Sequence, residues 1–166
     1  MAVYIALGAN LGDRRANLAE ALRRLEPTIH VEAVSALYES PPQPPAPPPA
    51  YLNAACRVTT RLEPRDLLVF LKRIEREMGR ETTQRWAPRP IDLDIALYDD
   101  RIVDEPGLTI PHPRLAERAF VLRPLLDLDP NLTHAATGDR LADLLSLVDS
   151  TALIEVEGIG WHLPDE

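Results

Sequence analysis

Apolar and polar positions repeat along this chain with two periods, and the period changes locate its elements. Val3–Leu7 is a short apolar run with aromatic and β-branched members, closed by Gly8, and predicts a buried strand. Gly8–Gly12 reads as a loop, and Asp13 is an N-cap for a helix carrying Leu18, Ala21, Leu22 and Leu25 on one face. Pro27 stops that helix. Ile29–Tyr38 alternates and predicts a strand. Residues 41–50 contain seven prolines, which neither a helix nor a ladder accepts, so this stretch is an extended polyproline-type loop. Tyr51–Thr60 returns to period two, with Leu52, Ala54, Cys56 and Val58 on one face and Tyr51, Asn53, Ala55 and Arg57 on the other.

Pro64 opens a longer helix with Leu67, Leu68, Leu71, Ile74 and Met78 in one stripe and Gly79 as its C-cap. Residues 80–90 are polar and irregular. Ile91–Tyr98 is a strand, Pro106–Pro113 a turn-rich connection, Ala116–Leu126 and Leu141–Val148 are helical, and Ile154–Val156 is a short closing strand. The order strand, helix, strand, strand, helix, strand predicts a ferredoxin-like βαββαβ core in the α+β class. Its sheet is mainly antiparallel, and the C-terminal helices cover the second face to give an α/β/α sandwich.

Composition narrows the function. At 166 residues, 45% apolar and 27% charged, the chain fits one domain over 1–166, with loops at 41–50 and 80–90. A net charge of −8 repels phosphate backbones, which argues against general nucleic-acid binding. A single cysteine, Cys56, excludes an internal disulfide framework and a Cys-rich zinc module. The first apolar run ends at Asn10 without a basic leader, and no stretch is apolar enough for a membrane span, so a cytoplasmic protein with no membrane partner is expected.

The segment RWAPRPIDLDIALY, residues 85–98, carries the candidate chemistry. On a strand, Asp92 and Asp94 project from one face with Cα atoms about 6.6 Å apart, while Ile91, Leu93, Ile95 and Leu97 fill the other. Two like charges held side by side repel unless a cation sits between them. Oxygen-ligated Mg²⁺ does so, and a pair of such ions forms a clamp on polyphosphate. On the strand alone, the pair reads equally as the solvated side of an amphipathic edge. Arg80, Arg85 and Arg89 precede it and His112, Arg114 and Arg118 follow, and guanidinium forks match phosphate oxygens. Trp86 is either a clasp over the preceding helix or a lid that stacks on a flat ring. Two further readings stay open at this point: a nucleotidyltransferase or phosphohydrolase using the same carboxylates, and a ligand-binding domain without turnover.

The blocks YIALGANLGDR, ESPPQ, YLNAAC, RIEREMGR, RWAPRPIDLDIALY and LTIPHPRLAERAFVLRPL, in this order, resemble the 6-hydroxymethyl-7,8-dihydropterin pyrophosphokinases of folate biosynthesis. The resemblance runs from about residue 3 to about residue 145. It implies transfer of the β,γ-pyrophosphoryl group of MgATP to the pterin hydroxymethyl oxygen, with AMP as the other product and two Mg²⁺ ions at the site; a monomer is expected. It places Asp92 and Asp94 as ligands of both metals. Glu75, Arg80, Arg89, Ile95, His112 and Arg118 fall at ATP-binding positions, with Arg80 and Arg89 also steadying the transferred group. Gly8, Ser40, Pro42, Tyr51, Asn53 and Phe120 fall at pterin-binding positions, and Trp86 lies on the loop that closes the site. Tyr51 and Phe120 suit the faces of a pterin, and Asn53 suits its donor–acceptor edge. Departures from the family pattern are the proline-rich loop after Pro42, Gln43 in place of a leucine, Thr82 and Thr83 in a segment one residue short, and Pro113 in place of an aromatic.

Overall fold

Strands with apolar side chains on both faces need cover on both sides, and this chain supplies it with two helices before the last core strand and two after it. The computed structural model describes residues 2–42, 50–79 and 90–163. Its elements are β1 (Val3–Ala9), α1 (Arg14–Leu25), β2 (His30–Val34), β3 (Leu37–Ser40), β4 (Tyr51–Thr59), α2 (Pro64–Glu77) and β5 (Asp92–Tyr98). A hairpin of β6 (Val103–Glu105) and β7 (Leu108–Ile110) follows, then a 3₁₀ turn at Leu115–Glu117, α3 (Ala119–Leu128), α4 (Leu141–Ser146) and β8 (Ile154–Glu157). The main sheet is antiparallel in order β5-β1-β4-β3-β8, and β2 also pairs with β4. With β2 and β3 sharing one strand position, this is the expected βαββαβ order.

Two apolar clusters flank the sheet. Val3, Ile5, Leu7, Cys56 and Val58 pack against Leu18 and Leu22 of α1 and Leu71 and Ile74 of α2. Tyr4, Ala55 and Leu97 pack against Leu122 and Leu125 of α3 and Leu141 of α4. Burial pushes the Cys56 thiol up to about 12, so it is a neutral core group. Asp13 caps α1 by accepting from Ala16 N at 3.0 Å, and Pro64 opens α2.

Four sequence readings are corrected. First, β1 does not close at Gly8 but continues to Ala9, with Gly8 paired on both sides. Second, the Ile29–Tyr38 strand breaks at Ser35, whose Oγ accepts from Ala55 N and donates to Ala36 O, replacing a regular rung with a side-chain bridge. A register shift earlier in β2 also turns Val34 into the core beside Ile29. Third, β5 bulges opposite Tyr4 and Ile5, so Leu97 leaves the face shared by Ile91, Leu93 and Ile95 and joins the α3 cluster. Fourth, the Pro106–Pro113 connection contains β7, reached through Gly107 at φ +77, and the Ala116–Leu126 helix is a 3₁₀ turn followed by α3.

Candidate active site

Three adjacent strands set out the site. Gly8 of β1 pairs with Asn53 of β4 on one side and with Asp92 of β5 on the other, while Ala6 lies between Ala55 and Asp94. At about 4.8 Å between strands, the backbones of Asn53 and Asp92 stand about 10 Å apart across Gly8. Alternation directs Asn53, Asp92 and Asp94 to the α3 side of the sheet, where the β1 residues paired with them, Ala6 and Gly8, are small. A β-carbon on Gly8 would lie 3.5 Å from Tyr51 Cδ1 and 3.6 Å from Asn53 Oδ1. The glycine therefore leaves a bare floor bordered by an aromatic ring and an amide oxygen.

Asn53 is 4% exposed and held from β3. Its Nδ2 donates to Ser40 Oγ at 2.8 Å and to the Tyr38 carbonyl at 3.5 Å. A carbonyl only accepts, so the NH₂ end of the amide faces β3 and Oδ1 faces the Gly8 floor. Tyr38 is itself fixed, its Oη donating to Asp127 Oδ2 of α3 at 2.6 Å, and burial with that carboxylate raises its phenol above the ordinary value. Ser40, expected at the pterin, thus acts on Asn53 directly. Tyr51 lies opposite Ser40, and Pro42 follows two residues beyond it.

On the other side of the floor, the Asp94 side chain is 39% exposed and its Oδ2 lies 4.0 Å from His112 Nε2. His112 hangs on β5 through its backbone N–H to Ala96 O at 3.0 Å. Its Nδ1 accepts from Arg114 N at 3.2 Å, which leaves the ring proton on Nε2. Burial, assisted by the charge of Arg118, lowers His112 to about 4. At neutral pH it is therefore an uncharged N–H donor beside Asp94, not half of an ion pair. The Arg118 guanidinium sits 5.4 Å from the centroid of Phe120, whose ring is half-buried at the start of α3. A cleft of about 290 Å³ beside these groups is lined by Leu68, Asp94, Ile95, Thr109, His112 and Pro113. Leu68 and Thr109 were missed as site residues, because three-residue strands show no period and Leu68 reads as core. The Pro106–Gly107 pair was the available signal for the hairpin that presents Thr109.

Glu75 lies behind the aspartates, its Oε2 accepting from Leu93 N at 2.7 Å and its Oε1 lying 3.2 Å from Lys72 Nζ. Arg80, Arg85, Trp86 and Arg89 lie outside the described residues, as does Gln43. Among the described residues, no group of three or more His, Cys, Asp or Glu side chains could hold a metal ion. Asp92 and Asp94 alone would leave most of a cation's shell to phosphate oxygens and water. That donor set fits Mg²⁺ arriving with a nucleotide and does not fit a closed zinc site. No described helix is long and apolar enough to cross a membrane.

Comparison with known proteins decides the family. Residues 4–130 match the model of 7,8-dihydro-6-hydroxymethylpterin-pyrophosphokinase (HPPK). The chain belongs to the HPPK family. A 2-amino-4-hydroxy-6-hydroxymethyldihydropteridine pyrophosphokinase of Pseudomonas aeruginosa is 43% identical over 159 residues, covering 95% of this chain and 94% of that one. The folic acid synthesis protein FOL1 of Dictyostelium discoideum is 46% identical over 132 residues, and there the match covers 80% of this chain but 20% of the relative. This chain thus spans about a fifth of that longer protein. The crystal structure of wild-type Plasmodium falciparum HPPK-DHPS superposes with a TM-score of 0.72 at 16% identity, over 88% of this chain and 44% of that one, a likeness of fold. Of the described residues expected at the pterin, Gly8, Ser40, Tyr51 and Asn53 lie on β1, β3 and β4, Pro42 follows β3, and Phe120 lies on α3. Of the described residues expected at the nucleotide, Ile95 and His112 line the outer cleft with the metal candidate Asp94, Glu75 lies on α2 and Arg118 just before α3.

Proposed function

We propose that this chain transfers pyrophosphate from MgATP to the hydroxymethyl group of 6-hydroxymethyl-7,8-dihydropterin, making the pterin diphosphate and AMP for folate biosynthesis. The observation that carries this reading is the single sheet face on which an amide oxygen and an aromatic ring border a bare Gly8 floor, one strand from a carboxylate pair. A flat bicycle lying on Gly8 meets Tyr51 on one face and Phe120 on the other, and its N–H edge donates to Asn53 Oδ1. Ser40 and Pro42 form the wall behind it. Ile95, His112 and Arg118 serve the nucleotide directly, with Glu75 supporting that side from behind β5, and the neutral Nε2–H of His112 donates without adding charge. The enzyme is a monomer comprising one pyrophosphokinase unit over 1–166. A lone, buried cysteine suits the reducing cytoplasm, where we place the enzyme.

Asp92 and Asp94 would hold two Mg²⁺ ions, which when bound neutralise phosphate charge and favour ionisation of the attacking hydroxyl. The pterin hydroxymethyl oxygen forms its bond to the β-phosphorus as the bond from that phosphorus to the α,β-bridging oxygen breaks. AMP leaves with the bridging oxygen, and the hydroxyl proton passes to solvent. Arg80 and Arg89 steady charge on the group in flight, and Trp86 closes over the site. Catalysis is positional and electrostatic, with no phosphoenzyme.

The test is AMP release from ATP and Mg²⁺ with and without the pterin alcohol. AMP formed only in its presence is the expected result. Free phosphate instead of AMP would point to a phosphohydrolase, and nucleotide binding without turnover to a binding domain; either overturns the proposal.

A further inference from the structure

We infer that Glu75 is a positioning residue that holds the two aspartates of β5 in register for their cations. This inference rests on the reading of Asp92 and Asp94 as magnesium ligands. Among the described residues β5 is an end strand of the main sheet, with no described strand bonded to the N–H groups on its outer side. The Leu93 N–H, between the two aspartates in sequence, donates to Glu75 Oε2 at 2.7 Å. Farther along the same strand, His112 N donates to Ala96 O at 3.0 Å. The aspartate segment is therefore held by side and main chain where a strand would otherwise pair.

A glutamate on the apolar stripe of α2 is out of pattern for a helix whose other inward residues include Leu67, Leu71 and Ile74. Glu75 is 2% exposed, and a charge buried that deeply survives only with strong partners. It has a backbone amide at one oxygen and Lys72, the chain's single lysine, at the other. A carboxylate oxygen on the Leu93 amide, with almost no open surface around it, ties Glu75 to the strand that carries the aspartates. A charge-assisted bond from a helix anchored by two fully buried neighbours is stiff enough to resist the splaying that repulsion between Asp92 and Asp94 favours.

The experiment measures binding of an unreactive ATP analogue by calorimetry, with and without Mg²⁺, for the wild type and for Glu75→Gln, Glu75→Asp and Glu75→Ala. Glutamine keeps an acceptor at the same reach, whereas aspartate keeps the charge but retracts it by one methylene. The magnesium-dependent gain in affinity is expected to survive in Glu75→Gln within about threefold and to fall about tenfold or more in Glu75→Asp and Glu75→Ala. Affinity without magnesium should be the same in all four proteins. A matched loss of metal-free affinity in every variant would make Glu75 a direct nucleotide ligand and overturn the inference. A full magnesium gain in Glu75→Asp and Glu75→Ala, with only a lowered melting temperature, would reduce it to a structural group and also overturn it. If Glu75→Ala does not fold, the Asp and Gln variants decide. A wild type with no magnesium gain would sink the cation reading itself, an outcome distinct from failure of the variants alone.

Discussion

The two sides of the Gly8 floor are built on opposite principles. On the β4 side the polar group is buried and its hydrogen bonds are already made: Asn53 is oriented by Ser40 and Tyr38, and Tyr38 is pinned by Asp127 of α3. On the β5 side the Asp94 carboxylate is 39% exposed beside an uncharged histidine, and the backbone between the two aspartates is held by Glu75. A neutral planar ligand is best met by a preorganised slot, because an amide pointing the wrong way would leave a buried acceptor unmatched. Charged phosphate with its cation instead brings the missing charge itself, so the protein needs only to hold two carboxylates at a fixed spacing. Neighbouring strands of one sheet face therefore differ in kind: one carries a buried amide whose hydrogen bonds are made, the other a carboxylate partly open to solvent.

The largest expected effect tests the carboxylate half. Asp94→Ala should lower AMP formation by at least about 10³-fold while the melting temperature stays within a few degrees, since the lost group is partly solvated. Near-normal turnover would remove the two-metal site. Next comes the buried-amide half: Gly8→Val places branched methyls where the ring should lie and should weaken pterin binding about a hundredfold, with MgATP affinity unchanged. Equal loss for both ligands would mean the halves are not separate. The smallest effect concerns the histidine beside Asp94. His112 titrates at about 4 when folded against 6.5 when unfolded, so the unfolded chain binds more protons in between. Its neutral-state contribution is complete above pH 6.5 and is lost as pH falls toward 4. Between pH 7 and pH 5 this amounts to about 2 kcal/mol, to be read as the difference in denaturant stability between wild type and His112→Gln. The same slope in both proteins would refute the buried neutral ring.

Much of the site was legible because it sits on strands, where period two assigns faces without reference to anything distant. Tyr51 and Asn53 opposite Cys56, and Asp92 beside Asp94, follow from alternation within one segment and are found so. Where alternation failed, a bulge had intervened, at Leu97 and at Val34, and a bulge is decided by what packs on each side of the sheet rather than by local sequence. Glu75 was placed on the nucleotide side by family likeness, and its bond to Leu93 could not be read at a separation of 18 residues.

What the amino-acid order determined by itself was the set of elements, their apolar faces and the residue types able to meet phosphate and a flat ring. Each depends on neighbours one to four positions away. Only the tertiary structure decided that Gly8 is a floor rather than a turn, that Asn53 shows its oxygen to the slot, and that His112 is uncharged. Those properties arise from groups far apart in the chain, whose orientation and desolvation exist only once three strands and two helix layers have come together.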